Sequence, residues 1–242
     1  MIEAAQKKKP CAKKKIIVIA LAAVMVAAVM GGAIFGFYSS DAGHLYVANQ
    51  KLGHYEKIGY EKGQVLLIGS SSMEYWRTSA EDLSPLTSYN VGVAGTVVSE
   101  WIDWVDKMIV PFSPRAVVVY AGTNNITGKK GGNTGAETAE LLKTLFEKIQ
   151  NRLPDAKIYF IAITQAPSKD KVMSDINACN ALIKELCQND ETLGYIDCNA
   201  EVLNADGSYK NELYRMDKLH FNEKGYAVWQ KVVVPILISE LA

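Results

Sequence analysis

The chain has 242 residues, of which 49% are hydrophobic and 21% charged, and its 26 basic and 26 acidic side chains cancel at neutral pH. This length suits one sizeable domain with an appendage, and the composition is that of an ordinary globular protein. Six of the lysines precede residue 16, so that 20 basic and 25 acidic residues remain beyond residue 15. That acidic excess argues against nucleic acid and against an anionic lipid surface as partners of the larger portion.

A basic cluster and an apolar run make up the first forty residues. Two lysine triplets lie in segment 1–15, and residues 16–38 carry no charge. A run of about 23 residues can cross a bilayer as a helix, whereas the apolar part of a cleavable signal peptide has about 7–15 residues. We therefore expect a transmembrane anchor at 16–38, with 1–15 in the cytoplasm and the remainder outside the cell membrane. Secretion after cleavage of a signal peptide is the alternative.

After a polar stretch at 39–62, interpreted as a linker, short apolar runs alternate with helical patterns over residues 63–242. Runs such as Val65–Ile68 and Ala116–Tyr120 are uninterrupted, which suits strands buried on both faces. Strand–helix alternation predicts an α/β fold, a three-layer α/β/α sandwich with a flavodoxin-like parallel sheet of about five strands. The predicted strands are 65–68, 89–91, 116–120, 158–163 and 195–196, and the predicted helices are 98–109, 136–152, 171–188 and 223–241.

The turn after the first predicted strand reads Gly69-Ser70-Ser71-Ser72. A serine between a buried strand and a helix can expose its hydroxyl at the edge of the sheet. The amides at the start of that helix can then stabilise a developing oxyanion. The simpler interpretation is that these serines cap the helix.

Two further loops follow predicted strands and contain candidate oxyanion donors. Gly95 ends the segment Asn90–Gly95, and Asn124 lies four residues after the strand that ends at Tyr120. A glycine lets the backbone approach a ligand closely, and an asparagine side chain offers an N–H donor. Each loop alone is also an ordinary turn sequence.

The segment before the last helix contains the third kind of candidate. Beyond the basic segment the histidines are His44, His54 and His220, and only His220 has a carboxylate, Asp217, three residues earlier. Within one turn this spacing can bring Asp217 to the imidazole Nδ1 and leave Nε2 free to take a proton from a serine. A lone histidine would more often be structural.

These four blocks, in this order, resemble the SGNH hydrolases, also called GDSL-type esterases and lipases, and in particular a bacterial branch with a G-S-S-S block. The resemblance covers residues 65–229. It implies that a serine attacks the ester, that an Asp-x-x-His pair handles the proton, and that a backbone amide, a glycine and an asparagine bind the oxyanion. The corresponding residues are Ser71 as nucleophile, Asp217 and His220 as the pair, and Ser71, Gly95 and Asn124 as the oxyanion hole.

Two positions depart from the family pattern. Ser70 stands where the family usually has the aspartate of Gly-Asp-Ser, and Asn125 replaces the aspartate of the third block. These changes bear on rate and on loop rigidity more than on the type of reaction.

The resemblance implies a serine-dependent carboxylic ester hydrolase that needs neither cofactor nor metal. Because the connecting segments are short and hold no long apolar insertion, we expect a short acyl group, such as acetyl, on a glycan or cell-envelope substrate. A lysophospholipase or lipase-like enzyme, an O-acyltransferase with the same triad, and a catalytically silent surface binding module are the alternatives. Cys179, Cys187 and Cys198 are either free or include one disulfide.

Overall fold

The computed structural model describes residues 31–34 and 36–242, and the chain divides into two compact units, Met1–Gly43 and His44–Ala242. In the first unit, residues 31–34 and 36–38 are helical. The basic segment 1–15 and most of the anchor predicted at 16–38 lie outside the described residues. Across the part of the chain that is described, no helix combines the length and the apolar character that crossing a membrane requires.

One sheet of five parallel strands forms the centre of the second unit, in the order β2-β1-β3-β4-β5. This is the flavodoxin-like order, in which the strand sequence reverses beside β1. The predicted three-layer α/β architecture with a parallel five-stranded sheet is therefore confirmed. The strands are β1 Val65–Gly69, β2 Ser88–Asn90, β3 Ala116–Tyr120, β4 Lys157–Ile161 and β5 Leu193–Ile196.

The uninterrupted apolar runs of β1 and β3 reflect burial on both faces of the sheet. Leu66 and Val117 belong to one core cluster, and their neighbours Leu67 and Val118 belong to the other. All four side chains have no exposed surface. Because side chains alternate between the faces of a strand, each strand supplies both cores and must be apolar throughout.

Helices cover both faces of the sheet, and three of the four predicted helices have nearly the expected bounds. The helix predicted at 98–109 is α-helical only to Trp104, and a π-helical turn at Val105–Ile109 and a 3₁₀ turn at Val110–Phe112 follow it. Pro111 lacks the N–H that a continuing helix would need. The α-helices are α1 Asp41–Ile58, α2 Ser71–Glu74, α3 Ser79–Asp82, α4 Val98–Trp104, α5 Gly135–Arg152, α6 Met173–Gln188, α7 Asn199–Val202 and α8 Glu223–Leu241.

Residues 39–62 differ from the linker that was predicted there. Most of this stretch is helix α1, whose Ala48 is fully buried in the core. The Tyr55 hydroxyl accepts a hydrogen bond from the Asn90 N–H at 3.0 Å, and Tyr60 donates to the Pro111 carbonyl at 3.3 Å. The domain therefore begins near His44, about twenty residues before the predicted boundary at 63.

The three cysteines of the domain are free thiols, which removes the disulfide alternative. Cys179 and Cys198 are buried, and burial raises the pKa of each to about 12. Burial also raises the pKa of Cys187 to about 11. Thiols that are protonated at neutral pH are poor nucleophiles, so none of the three competes with a serine for that role.

Candidate active site

Ser71 lies at the tight turn between β1 and the four-residue helix α2. The N–H of Ser70 donates to the Tyr120 carbonyl at 3.1 Å, which fixes the turn to the end of the neighbouring strand β3. Gly69 has a φ of +141°, and a Cβ there would collide with that same carbonyl oxygen. Only glycine fits this position, because the turn must pass so close to β3.

The structure does not support capping as the role of the serines. Ser70 is the N-cap residue of α2, yet its side chain makes no capping hydrogen bond within the described part of the chain. The Ser71 hydroxyl instead contacts His220, with 2.7 Å between Oγ and Nε2.

His220 and Asp217 form one compact turn before α8. The distance between His220 Nδ1 and Asp217 Oδ2 is 2.8 Å, so Asp217 accepts the Nδ1 proton and leaves Nε2 to face Ser71. Asp217 Oδ1 also accepts the N–H groups of Leu219 and His220, each at 2.9 Å. Lys218, with a φ of +58°, supplies the left-handed residue that such a tight turn requires.

These hydrogen bonds control the ionisation of Asp217. Partial burial by itself opposes the charged form, but the hydrogen bonds from the His220 ring and from the backbone of His220 and Leu219 outweigh it. They lower the pKa of Asp217 to about 2. Asp217 is therefore a carboxylate at every pH at which an esterase is normally assayed, and it can orient His220 and stabilise the imidazolium that forms.

The second and third loops lie beside Ser71. The Val93 N–H donates to the Gly69 carbonyl at 2.8 Å, which ties the Gly95 loop to the serine turn. Asn124 Nδ2 donates one hydrogen to the Thr96 carbonyl at 3.0 Å and so lies next to Gly95. Among the described residues no acceptor binds the N–H of Ser71 or of Gly95, which leaves both free for a ligand oxygen. These contacts place the Gly95 loop and Asn124 next to the turn that holds Ser71.

Asn125 has a different environment from its identical neighbour. It is 4% exposed, its Oδ1 accepts the Val98 N–H at 3.0 Å, and its Nδ2 donates to Asn133 at 3.2 Å. Its Oδ1 thus joins the third loop to helix α4, and its Nδ2 joins that loop to the segment before α5. Asn124 is more exposed, and within the described part of the chain its side chain uses one N–H and keeps the other free, as an oxyanion donor would.

Several residues of the site belong to no motif that can be recognised in the sequence. The Tyr75 ring packs edge-on against the His220 imidazole with 5.2 Å between centroids, and the Arg215 guanidinium lies 4.7 Å from the Tyr75 centroid. Glu74 Oε2 accepts the Ala94 N–H at 2.6 Å, next to Gly95. The position of Tyr75 and Glu74, directly after the serine block, is the one signal that could have pointed to them.

Comparison with known proteins gives a consistent result. The sequence matches the model of the GDSL-like lipase/acylhydrolase family over residues 69–228, about two thirds of the chain. It is 28% identical over 189 residues to the human platelet-activating factor acetylhydrolase IB subunit alpha2, covering 73% of this chain and 76% of that protein. It is also 25% identical over 191 residues to an N-acylneuraminate cytidylyltransferase of Escherichia coli, covering 78% of this chain but 43% of that protein.

Solved structures share the fold at lower identity. One described as a putative platelet activating factor from Streptococcus pneumoniae superposes with a TM-score of 0.70 at 18% identity, covering 90% of this chain and 99% of that one. An acetyl-xylooligosaccharide esterase from a Geobacillus species superposes with a TM-score of 0.58 at 16% identity, covering 71% and 92%.

The two adjacent asparagines allow a matched test of the oxyanion hole. Asn124→Ala should lower kcat by roughly 10²–10³, the usual loss for one oxyanion donor, because its free N–H faces the site. Its free energy of unfolding should change little. Asn125→Ala should keep most of kcat but lose about 1–3 kcal/mol of unfolding free energy, since it leaves the buried Val98 N–H without a partner. Steady-state kinetics and denaturant unfolding of both variants provide the measurement, and equal losses of kcat would show that the hole is misplaced.

Proposed function

The chain belongs to the GDSL-like lipase/acylhydrolase family and is an ester hydrolase, and on that premise we propose that Ser71, His220 and Asp217 are its catalytic triad. The observation that carries this proposal is the 2.7 Å contact between His220 Nε2 and Ser71 Oγ, with Asp217 on the opposite ring nitrogen. A nucleophile, a base and a group that orients the base are the three parts that acyl transfer requires.

In the proposed mechanism the Ser71 oxygen attacks the ester carbonyl carbon while His220 Nε2 accepts the hydroxyl proton. The carbonyl oxygen becomes an oxyanion, and the amides of Ser71 and Gly95 together with the Asn124 side chain donate hydrogen bonds to it. His220 then protonates the departing alcohol, and the acyl group stays on Ser71. Water, activated by His220, attacks this acyl-enzyme and releases the acid.

We further propose that the substrate carries a short acyl group, such as acetyl, on a glycan or another cell-envelope polymer. A cavity of about 650 Å³ begins at Tyr75, beside His220, and extends along the start of α8. Every residue that lines it has a polar side-chain group, as a carbohydrate would require, and the cavity is not the apolar channel expected for a fatty chain. The lining residues are Tyr75, Arg77, Thr78, Arg215, Asn222, Glu223, Tyr226 and Gln230.

The comparisons support the same chemistry, because two of the similar proteins act on acetyl groups according to their names. One is an acetylhydrolase, and the other is an esterase of acetylated xylooligosaccharides. The alcohol portion differs between the two, so the acyl group is the part of the substrate that they have in common.

Cellular location is a separate proposal and rests on the sequence. Two lysine triplets followed by the uncharged run 16–38 favour a single-pass anchor whose N-terminus stays in the cytoplasm. The esterase domain would then act outside the membrane, where envelope glycans are available.

The nucleophile assignment predicts three different outcomes at three adjacent serines. Ser71→Ala should abolish hydrolysis of p-nitrophenyl acetate and labelling by a fluorophosphonate probe, since Ser71 has the one hydroxyl among the described residues that contacts His220. Ser70→Ala and Ser72→Ala should keep measurable activity, because Ser70 contributes its buried backbone and Ser72 contributes its carbonyl to Tyr226. If Ser70→Ala is inactive and Ser71→Ala is active, the nucleophile is Ser70 and not Ser71.

Acyl length separates the esterase proposal from a lipase-like one. Each methylene buried in a fitted apolar pocket contributes about 0.8 kcal/mol, or roughly fourfold in kcat/KM. We expect kcat/KM for p-nitrophenyl esters to fall after acetyl or propionyl, and we expect release of acetate from an acetylated glycan. An optimum at eight carbons or more, with no acetate released, would contradict the short-acyl proposal and favour a lipase.

The anchor proposal predicts where the full-length chain is found. It should sediment with membranes and resist extraction by high salt, and protease added to intact cells should digest the domain. A soluble form that begins near residue 40 would show instead that the apolar run is a cleaved signal peptide.

A further inference from the structure

Two side chains of helix α1 pair with carboxylates that bind the backbone of the Gly95 loop, and neither pair belongs to the triad or to the oxyanion hole. Glu100 Oε2 accepts the Val97 N–H at 2.9 Å, and its Oε1 lies 2.8 Å from His44 Nδ1. Glu74 Oε2 accepts the Ala94 N–H at 2.6 Å, and its Oε1 lies 3.3 Å from Lys51 Nζ. The backbone on each side of Gly95 is therefore bound by a carboxylate that is paired with α1.

The two pairs act on the same loop from the same helix face. His44 and Lys51 are seven residues apart, which is two helical turns, so their side chains project from one side of α1. His44 reaches Val97 through Glu100, and Lys51 reaches Ala94 through Glu74. Ala94 and Val97 lie on either side of Gly95 in the chain. Movement of the loop relative to α1 would have to break at least one of the pairs.

His44 also touches Gly95 directly. The glycine has a φ of +88°, and a Cβ placed on it would lie 2.5 Å from His44 Nε2. The imidazole is 6% exposed, and within the described residues its Nε2 has no hydrogen-bond partner. The ring is therefore held by the contact of Nδ1 with Glu100, and its Nε2 edge packs against Gly95.

We propose that His44 and Lys51 are positioning residues for the oxyanion hole. The pairs His44–Glu100 and Lys51–Glu74 hold the backbone of residues 94–97 so that the Gly95 N–H points at the carbonyl oxygen that becomes negative. This rests on the proposed roles of Ser71 and Gly95. Because the oxyanion develops fully only in the transition state, a misaligned donor lowers kcat more than it raises KM.

Helix α1 supplies matched controls, since His54 and Lys57 are exposed residues of the same types on the same helix. His44→Ala should lower kcat by about tenfold or more, within the roughly 10²–10³ that one donor is worth, and should leave KM within about twofold. Lys51→Ala should have a smaller effect, about two- to fivefold, because that pair is partly exposed. His54→Ala and Lys57→Ala should keep wild-type kcat and KM.

A trifluoromethyl ketone reports on the oxyanion itself. Ser71 Oγ adds to the ketone carbon, its proton passes to His220, and the carbonyl oxygen becomes an anion in the hole. The inhibition constant of the full-length His44→Ala protein should rise in proportion to the loss of kcat. His44→Gln, whose amide N–H can still donate to Glu100, should recover most of both quantities, which loss of stability alone would not produce.

The outcomes separate this inference from the proposed triad. A folded His44→Ala with the kcat and ketone affinity of His54→Ala would overturn the inference while leaving the triad intact. Activity in Ser71→Ala would overturn the triad instead. If His44→Ala does not fold, His44→Leu takes its place, and reduced kcat at unchanged KM supports the proposal. Failure of both variants to fold would assign His44 a structural role and refute it.

Discussion

The hydrogen bond between Ser71 Oγ and His220 Nε2 joins residues 149 positions apart in the chain. It forms only if the end of β1 and the turn before α8 are held together from both sides. On the serine side, Gly69 allows the turn to rest on β3. On the histidine side, the Tyr226 hydroxyl donates to the Ser72 carbonyl at 2.7 Å, so that α8 is bonded to α2 itself. The contact between Ser71 and His220 is therefore held in place by the hydrogen bonds of Ser70 to β3 and of Tyr226 to α2.

The parts of the site differ in how they are stabilised. Asp217 has 47% of its side chain exposed, and hydrogen bonds rather than a dry environment keep it ionised. The third loop depends on Lys169, whose Nζ donates to the carbonyls of Thr123 and Ile126 at 2.7 and 2.8 Å. Burial lowers the pKa of Lys169. Its two hydrogen bonds fix the backbone on each side of Asn124. The acid–base turn is thus held locally, and the oxyanion donors are held by distant side chains.

This difference explains which features were predictable from sequence. The strands can be predicted from the sequence because burial on both faces requires unbroken apolar runs, as in Ala116–Tyr120. The segments around Ser71 and His220 can be predicted as well, because the residues that carry their chemistry are close together in the sequence. Helix α1 is hard to recognise from the sequence because its inward side is only partly apolar: it consists of His44, Leu45, Val47, Ala48, Leu52 and Tyr55. A stripe that contains histidine, alanine and tyrosine has too little contrast with the polar face to be recognised.

The replacement of the family's usual aspartate by Ser70 is consistent with this arrangement. Ser70 is 2% exposed, and the turn is held by its backbone rather than by its side chain. The Ser70 N–H donates to the Tyr120 carbonyl, and the Ser70 carbonyl accepts the N–H groups of Met73 and Glu74. The carboxylate that reaches from the first block to the second is Glu74, which lies four residues further along. Because Glu74 leaves α2 on the side of α1, it can pair with Lys51 while it holds Ala94. A serine at position 70 is then sufficient, because the backbone beside Gly95 is bound by Glu74 of α2 and Glu100 of α4. Each of these carboxylates is in turn paired with a side chain of helix α1.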